Sequence, residues 1–410
     1  MAKKLSSALG IDIGSKTIKV AEVRNQGRQP VVTALGAIET PADSVDHTGV
    51  FNADNVGAAL KQLLASIGAS SPNVVVSIAG QASVLVRTLE VPRMNDTELA
   101  EHMQWEISRN IPFAESTVQS AYAKLDDQDP NAANMDVVLA ISPQSAVDTL
   151  ISAIKKAGKQ LAAIDVEPTA VARMLAISGV NPTEVSCVVD IGHKTTGINI
   201  YRGRNLLMPR QVPVGGELFS QELARNLNVS AAEAEEILRT RAEIPRGYVA
   251  EAPPDPFSVP GSMAGEPLQP YNPFAPEPEP SAFEPDAGAT GGFEPAPEHS
   301  AAPEPLGNPE TMRILDGFRP ALEELVAEIR RSLDYFRSKG GEVDRLRLFG
   351  GVAKLKGLPE YLGSSLGLGC ELLDPFQGLT VNARKADPEL LDGRRGEFVV
   401  AIGNGLYILF

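Results

Sequence analysis

The chain of 410 residues carries 37 Lys and Arg against 52 Asp and Glu, a formal net charge of -15, with 43% hydrophobic residues. That balance excludes nucleic acid as the main partner, because neutralising phosphates takes a surplus of basic side chains, and it disfavours an anionic lipid surface. The length suffices for two or three buried cores, and the two cysteines, Cys187 and Cys370, lie in apolar runs without metal-ligand spacing, as core residues in a reducing compartment do.

The N-terminal apolar run is broken by Asp12 and Lys16 and is too short for a secretion signal. No apolar run approaches the roughly 18 residues of a membrane span. In chain order, a strand over 8–14 (ALGIDIG) meets a tight turn and a second strand over 17–23, and 30–39 forms a third. Helical spacing runs over 55–68 and stops at Gly68. A strand returns over 73–79. Residues 83–160 form a unit ordered strand, helix, strand, strand, helix, with Asn95 or Asp96 capping the first helix and Pro143 opening the second. Residues 161–175 pass from strand to helix.

At 184–203 the opening pattern recurs. CVVDIGHKTTGINI repeats ALGIDIGSKTIKV in outline, about 178 residues later, which implies two related lobes. Helices follow over 215–227 and 230–242. Residues 247–309 then hold 16 of the 32 prolines and ten acidic residues with no Lys or Arg, so they carry -10 of the net charge. Such a stretch cannot build a packed core. It is expected to be a disordered acidic insertion, either a docking arm or a tolerated surface loop. A helix over 314–341 comes next, then strand, Gly-Gly turn and helix over 345–367. The apolar segment 398–410 lacks a Lys/Arg face and is expected to be a core helix. The expected division is 1–82, first lobe; 83–160, inserted subdomain; 161–246, second lobe; 247–309, insertion; 310–410, rest of the second lobe and a return helix.

Asp12-Ile13-Gly14-Ser15-Lys16-Thr17 has the parts of an anion-gripping turn. Glycine lets the backbone approach an anion. Successive N–H groups and the Ser15 and Thr17 hydroxyls can hold phosphate oxygens, Lys16 can neutralise charge, and Asp12 at the strand end suits Mg2+ directly or through water. Asp190-Ile191-Gly192-His193-Lys194-Thr195-Thr196 offers the same parts from the second lobe. A single D-x-G also marks an ordinary hairpin; the doubled, similarly placed pair is the signal. Gly350-Gly351, between a strand and a helix, either lets a nucleoside pass or is a plain tight turn. Gly215-Gly216-Glu217 opens a helix, whose N-terminus favours anions. His193 is expected to be an exposed turn residue, since no acid partner adjoins it.

DIGSKT, DVEP, VVDIGHKTT, VGGE and LFGG, in that order, resemble the actin, Hsp70 and sugar-kinase ATPase superfamily. WEISRNIPF (105–113), IDVEPTAVARM (164–174), VPVGGELFSQELARNLNVSAAEAEEIL (212–238), AEIRRSLDYF (327–336) and LFGGVAKLKGLPEYL (348–362) are similar to the PilM family of type IV pilus assembly proteins, relatives of the division protein FtsA. The resemblance covers nearly the whole chain except 247–309. It implies an α/β, actin-like ATPase fold: two related lobes around a nucleotide cleft, with an FtsA-type extra subdomain at 83–160.

The resemblance also implies ATP and Mg2+ as ligands. Asp12, Gly14, Ser15, Lys16 and Thr17 match the first phosphate loop, and Asp190, Gly192, Thr195 and Thr196 the second, with Asp12 and Asp190 on the metal side. Gly215, Gly216 and Glu217 match the ribose-side turn, and Gly350 and Gly351 the adenosine motif. Glu235 matches a ribose-contacting glutamate, although Leu238 stands where relatives have a lysine. Asp165 and Glu167 open the connecting helix, to position metal or water or to cap it.

In such proteins the cleft beside the extra subdomain takes the cytoplasmic N-terminal peptide of PilN, an inner-membrane protein. That implies a cytoplasmic scaffold at the inner face of the membrane, serving pilus assembly or related type II secretion. Trp105, Ile111, Pro112 and Phe113 either face the peptide or pack in the core. No Glu or Gln is assignable as the residue that positions attacking water, so the expected ATPase activity is weak or absent. A small-molecule kinase and an FtsA-like membrane-associated filament protein are the alternatives on the same fold.

Overall fold

The computed structural model describes residues 5–27, 29–113, 117–126, 129, 131–248 and 308–410. The acidic insertion expected over 247–309 lies outside them, apart from its flanks at 247–248 and 308–309.

The chain opens with β1 (Ser7–Ile13), β2 (Thr17–Gln26) and β3 (Gln29–Glu39), then a small hairpin of β4 (Val45–Asp46) and β5 (Gly49–Val50). Helix α1 (Ala53–Ile67) starts where the Asn52 side chain accepts from the Asn55 amide and stops at Gly68, whose φ of 68° is left-handed. Next come β6 (Asn73–Ile78), β7 (Leu85–Pro92) and α2 (Asp96–Asn110), the last held by a capping box between Asn95 and Glu98. Then follow β8 (Val118–Lys124), β9 (Asn134–Pro143), α3 (Gln144–Lys156), β10 (Gln160–Val166), α4 (Glu167–Ile177), β11 (Val185–Ile191), β12 (Thr196–Arg202), β13 (Asn205–Met208) and β14 (Gln211–Val212). The remaining elements are α5 (Gly216–Leu227), α6 (Ala231–Thr240), α7 (Pro309–Ser338), β15 (Arg345–Phe349), α8 (Leu358–Leu366), β16 (Gly369–Leu372), β17 (Thr380–Val381), α9 (Pro388–Asp392) and α10 (Val399–Gly405).

Two sheets share one plan. The first runs β10-β6-β1-β2-β3-β17, and the second β13-β12-β11-β15-β16. In each, a three-stranded antiparallel meander continues into two parallel strands, so the lobes are structural repeats of one another. The third sheet, β7-β9-β8, is antiparallel and belongs to the inserted unit, whose order is the expected strand, helix, strand, strand, helix. Leu99, Met103 and Ile107 line one side of α2, at the spacing that turns a single face of a helix to that sheet.

The expected break at 160 falls inside the first sheet, because β10 pairs parallel with β6. The chain also returns there late: β17 pairs with β3, and α10 packs on β1 and α4. The apolar segment expected to form a core helix is thus the wall behind the first sheet. Backbones approach so closely that a Cβ on Gly10 would lie 1.9 Å from the Ala401 carbonyl oxygen. Asn404, fully buried, donates to the Ile11 carbonyl at 2.9 Å and bonds the Ser77 hydroxyl. Cys187 is buried and Cys370 half-buried, each beside Leu346 in the second sheet, and burial pushes both thiols up to about 12.

Candidate functional site

Two hairpin turns are built alike. Gly14 N–H donates to the Thr17 carbonyl at 3.1 Å, and Gly192 N–H to the Thr195 carbonyl at 3.0 Å. A Cβ would come within 3.0 Å of the Thr17 oxygen in the first turn and 2.8 Å of the Thr195 oxygen in the second, so each tight approach requires glycine. The aspartates two residues before these glycines lie opposite Lys19 and Gly197, respectively, in the hairpin registers.

The turns meet across a cavity of ≈ 760 Å³. Asp12, Gly14, Ser15, Lys16 and Thr17 line it from the first lobe; Asp190, Gly192, Thr195, Gly216, Gly350 and Gly351 line it from the second. Glu235 lines an adjoining cavity of ≈ 700 Å³ that shares Lys16, His193, Gly216 and Gly351 with the first. Thr196 is turned away: its buried hydroxyl donates to the Val214 carbonyl at 2.6 Å. The start of α5 also serves the protein rather than an open anion site. Gly216 and Glu217 N–H groups donate to the Gly192 and His193 carbonyls at 3.0 and 2.8 Å, bracing the second turn from behind. Gly215 makes room for that brace, since a Cβ there would lie 2.5 Å from the His193 oxygen.

Gly350 needs its glycine for two reasons. Its φ is +94°, and a Cβ would lie 2.4 Å from Asp190 Oδ1. The Gly350-Gly351 turn therefore rests directly on the Asp190 carboxyl group.

Charge is crowded on the cleft floor. Lys19 Nζ donates to Asp12 Oδ2 at 2.9 Å. Burial works against the ammonium, but Asp12, then Asp190 and Glu397, hold Lys19 above the usual lysine range. Burial, then repulsion from Asp12, raises Asp190; burial, then Asp190 and Asp12, raises Glu167 still further. Three carboxyl groups crowd one ammonium on this floor. Among the described residues no cluster of three metal-type side chains forms a closed cage. An open site of one or two carboxylates suits magnesium carried on phosphate oxygens, which keeps several waters. The residues present fit a magnesium-bound nucleotide.

Several of these residues escaped the sequence reading. Lys19 is one, although hairpin register alone places it opposite Asp12. Glu397 is another: it lines the cleft and bonds Arg394 at 2.8 Å and Lys354 at 3.2 Å, and nothing local in sequence announces it. Glu167 faces the cavity, whereas Asp165 is spent on Thr169 and Arg173. Lys16 donates to Glu235 Oε2 at 2.8 Å, a bond across the mouth of the cleft between lobes. His193 is not the exposed turn residue expected. Its Nδ1 is buried without a partner among the described residues, its Nε2 lies 4.0 Å from Glu235, and burial lowers its pKa.

A groove of ≈ 660 Å³ runs between the inserted unit and the first lobe. Consecutive residues of two edge strands, Gln119–Ala123 of β8 and Leu161–Val166 of β10, line it. The aromatic candidates from 105–113 do not. Trp105 is 53% exposed on the outer face of α2, with Arg109 over its ring at 4.2 Å. Phe113 packs against the core of the inserted unit, and Ile111 and Pro112 lie outside the groove. The α2 stripe buries other residues, so Trp105 is left on the solvent side of its helix.

Comparison with known proteins follows this geometry. A family model described as type IV pilus assembly protein PilM matches residues 10–258 and 305–407. A solved PilM-PilN type IV pilus biogenesis complex is similar over 100% of both chains, with 26% identity and a TM-score of 0.75. The ethanolamine utilization protein EutJ of Carboxydothermus hydrogenoformans shares the fold at 15% identity, TM-score 0.51, over 99% of this chain and 92% of that one. The EutJ proteins of Salmonella typhimurium and Salmonella typhi are 34% identical over 93 residues, 23% of this chain; the chain spans about a third, 31%, of these curated relatives. The resemblance carried by the motifs is thereby borne out: the chain belongs to the type IV pilus assembly protein PilM family and has the actin-like ATPase fold.

Proposed function

We propose that the protein is an ATP-binding scaffold of pilus assembly that docks the cytoplasmic N-terminal peptide of a PilN-like inner-membrane protein. The observation that carries the nucleotide part is the meeting of two glycine turns, 178 residues apart, across one cavity with Asp12, Asp190 and Glu167 at its floor. The backbone amides and Lys16 would hold phosphates, Asp190 and Asp12 would hold magnesium, and Gly350-Gly351 would pass the nucleoside. Magnesium there would offset phosphate charge. Glu167, at the cleft floor, would be the side chain to orient a water. Among the described residues no helix is long and apolar enough to cross a membrane.

The docking part is supported by the groove. Both of its long walls are edge strands, whose free N–H and C=O groups can pair with an extended peptide, and its remaining lining is largely apolar. Because the lobes close on the nucleotide, occupancy of one site biases the other.

Two measurements test this. Asp190→Ala should abolish magnesium-ATP binding in calorimetry; unchanged affinity would defeat the nucleotide assignment. A synthetic peptide of the partner's cytoplasmic N-terminus should slow amide exchange in β8 and β10. Protection confined to other elements would remove the groove as the docking site.

A further inference from the structure

Two cavities meet at Lys16. The ≈ 760 Å³ cleft and the adjoining ≈ 700 Å³ cavity both reach this side chain, whereas Glu235 lines only the second. The 2.8 Å bond between them therefore stands at the passage from one cavity to the other. Both ends are anchored in the backbone. The Thr40 amide donates to the Lys16 carbonyl at 3.0 Å, and the Thr40 hydroxyl to the Gly14 carbonyl at 2.7 Å, which pins the first turn. Glu235 sits on α6, whose start is capped by Ser230 and which packs on α5. The ion pair is thus exchanged by rotating two side chains. The other Lys and Arg side chains common to both cavities are held by different carboxylates, Lys354 by Glu397 at 3.2 Å and Arg239 by Glu236 on the same helix.

We infer that the Lys16–Glu235 pair makes the phosphate turn selective: it yields Lys16 to a triphosphate that carries a sugar and withholds it from inorganic polyphosphate. This inference rests on the nucleotide reading above. A bare polyphosphate that takes Lys16 leaves the Glu235 carboxylate without its cation and beside a new anion. His193 does not replace the ammonium. Its Nε2 lies 4.0 Å from Glu235, but burial favours its neutral form. A carboxylate only accepts, so the released Glu235 needs donors. A vicinal diol brings two hydroxyls, and a ligand whose phosphates lie in the cleft can carry its sugar into the adjoining cavity, where Glu235 waits. Both partners of the pair are 43% exposed, so the bond is worth a factor of about five at most. That is weak enough to be exchanged and large enough to rank two ligands.

The test is calorimetry on the full chain with magnesium, using ATP and inorganic tripolyphosphate as the two probes. Glu235→Gln should tighten tripolyphosphate about three- to fivefold and should not tighten ATP by the same factor. Removing one negative charge would by itself favour any anion, so Lys16→Met and the double variant complete a cycle that cancels this general effect. Lys16→Met should cost tripolyphosphate about three- to fivefold more in the Glu235→Gln background than alone. Additive losses, an equal gain for both probes, or tripolyphosphate binding left unchanged or undetected in Glu235→Gln would overturn the selectivity while leaving the nucleotide site standing. Failure of the wild type to bind ATP would instead overturn the nucleotide reading, and the selectivity with it.

Discussion

Lys19→Met is the sharpest perturbation of the cleft floor. Lys19 and Asp12 lie opposite each other on the β1–β2 hairpin, 2.9 Å apart, with side chains 15% and 10% exposed. Breaking a buried pair from one side costs about 3–5 kcal/mol, because the surviving charge keeps its desolvation penalty. Here the survivor also faces Asp190 and Glu167, so the upper half of that range is expected. Asp12→Asn should cost less, about 1–2 kcal/mol, since Asp190 and Glu397 still accompany the ammonium. The double variant should recover part of the loss, giving a coupling energy of about 2 kcal/mol. Reversible urea unfolding of the four proteins, followed by far-ultraviolet circular dichroism, measures it. Losses that simply add would mean that the two groups do not compensate one another, and the account of the floor would be wrong.

Gly350→Ala should cost about 1–3 kcal/mol of stability from its left-handed backbone and should also weaken ATP, because the new methyl displaces Asp190; thermal melting and calorimetry read the two effects. Asn404→Leu removes the buried bonds to the Ile11 carbonyl and the Ser77 hydroxyl, and a loss of about 2–3 kcal/mol in urea unfolding is expected. Glu22 supplies a pH signature. Burial works against its carboxylate, but the Ser70 and Ser71 amides and Arg24 hold it below the usual glutamate value of 4.5. A depressed carboxylate contributes stability above its unfolded pKa and loses it as pH falls through the folded value. Wild type should therefore exceed Glu22→Gln in urea midpoint at about pH 7, and the gap should close toward about pH 3; a gap that widens in acid would refute the assignment.

Local features were the legible ones. Each phosphate turn declares itself because apolar strand, aspartate, glycine and polar turn sit within a few neighbouring residues, and the repeat of that string marks the two lobes. The cap at Asn95 and the stop at Gly68 are similarly local. The second half of the site was hidden because it is assembled by distance. Glu397 reaches the cleft only when the chain returns to the first sheet, and the groove exists only because β8 and β10 are both edge strands. Residue type misled at Thr196, whose hydroxyl serves Val214, and at Trp105, whose size suggests a binding face that the α2 stripe does not provide. The start of α5 was misjudged because free N–H groups were assumed where Gly192 and His193 carbonyls take them.

The helix behind the first sheet has a consequence for biosynthesis. β1 leaves the ribosome about 390 residues ahead of the wall it packs against, α10. At roughly 5–20 residues per second, the growing chain waits about 20–80 s with one side of that sheet uncovered. The inserted unit has its own sheet and helix and can consolidate during the wait. The first lobe cannot, so a chain broken off before residue 399 is left with an apolar face for the quality-control machinery to find, and the nucleotide cleft is finished only when Glu397 has joined its lining.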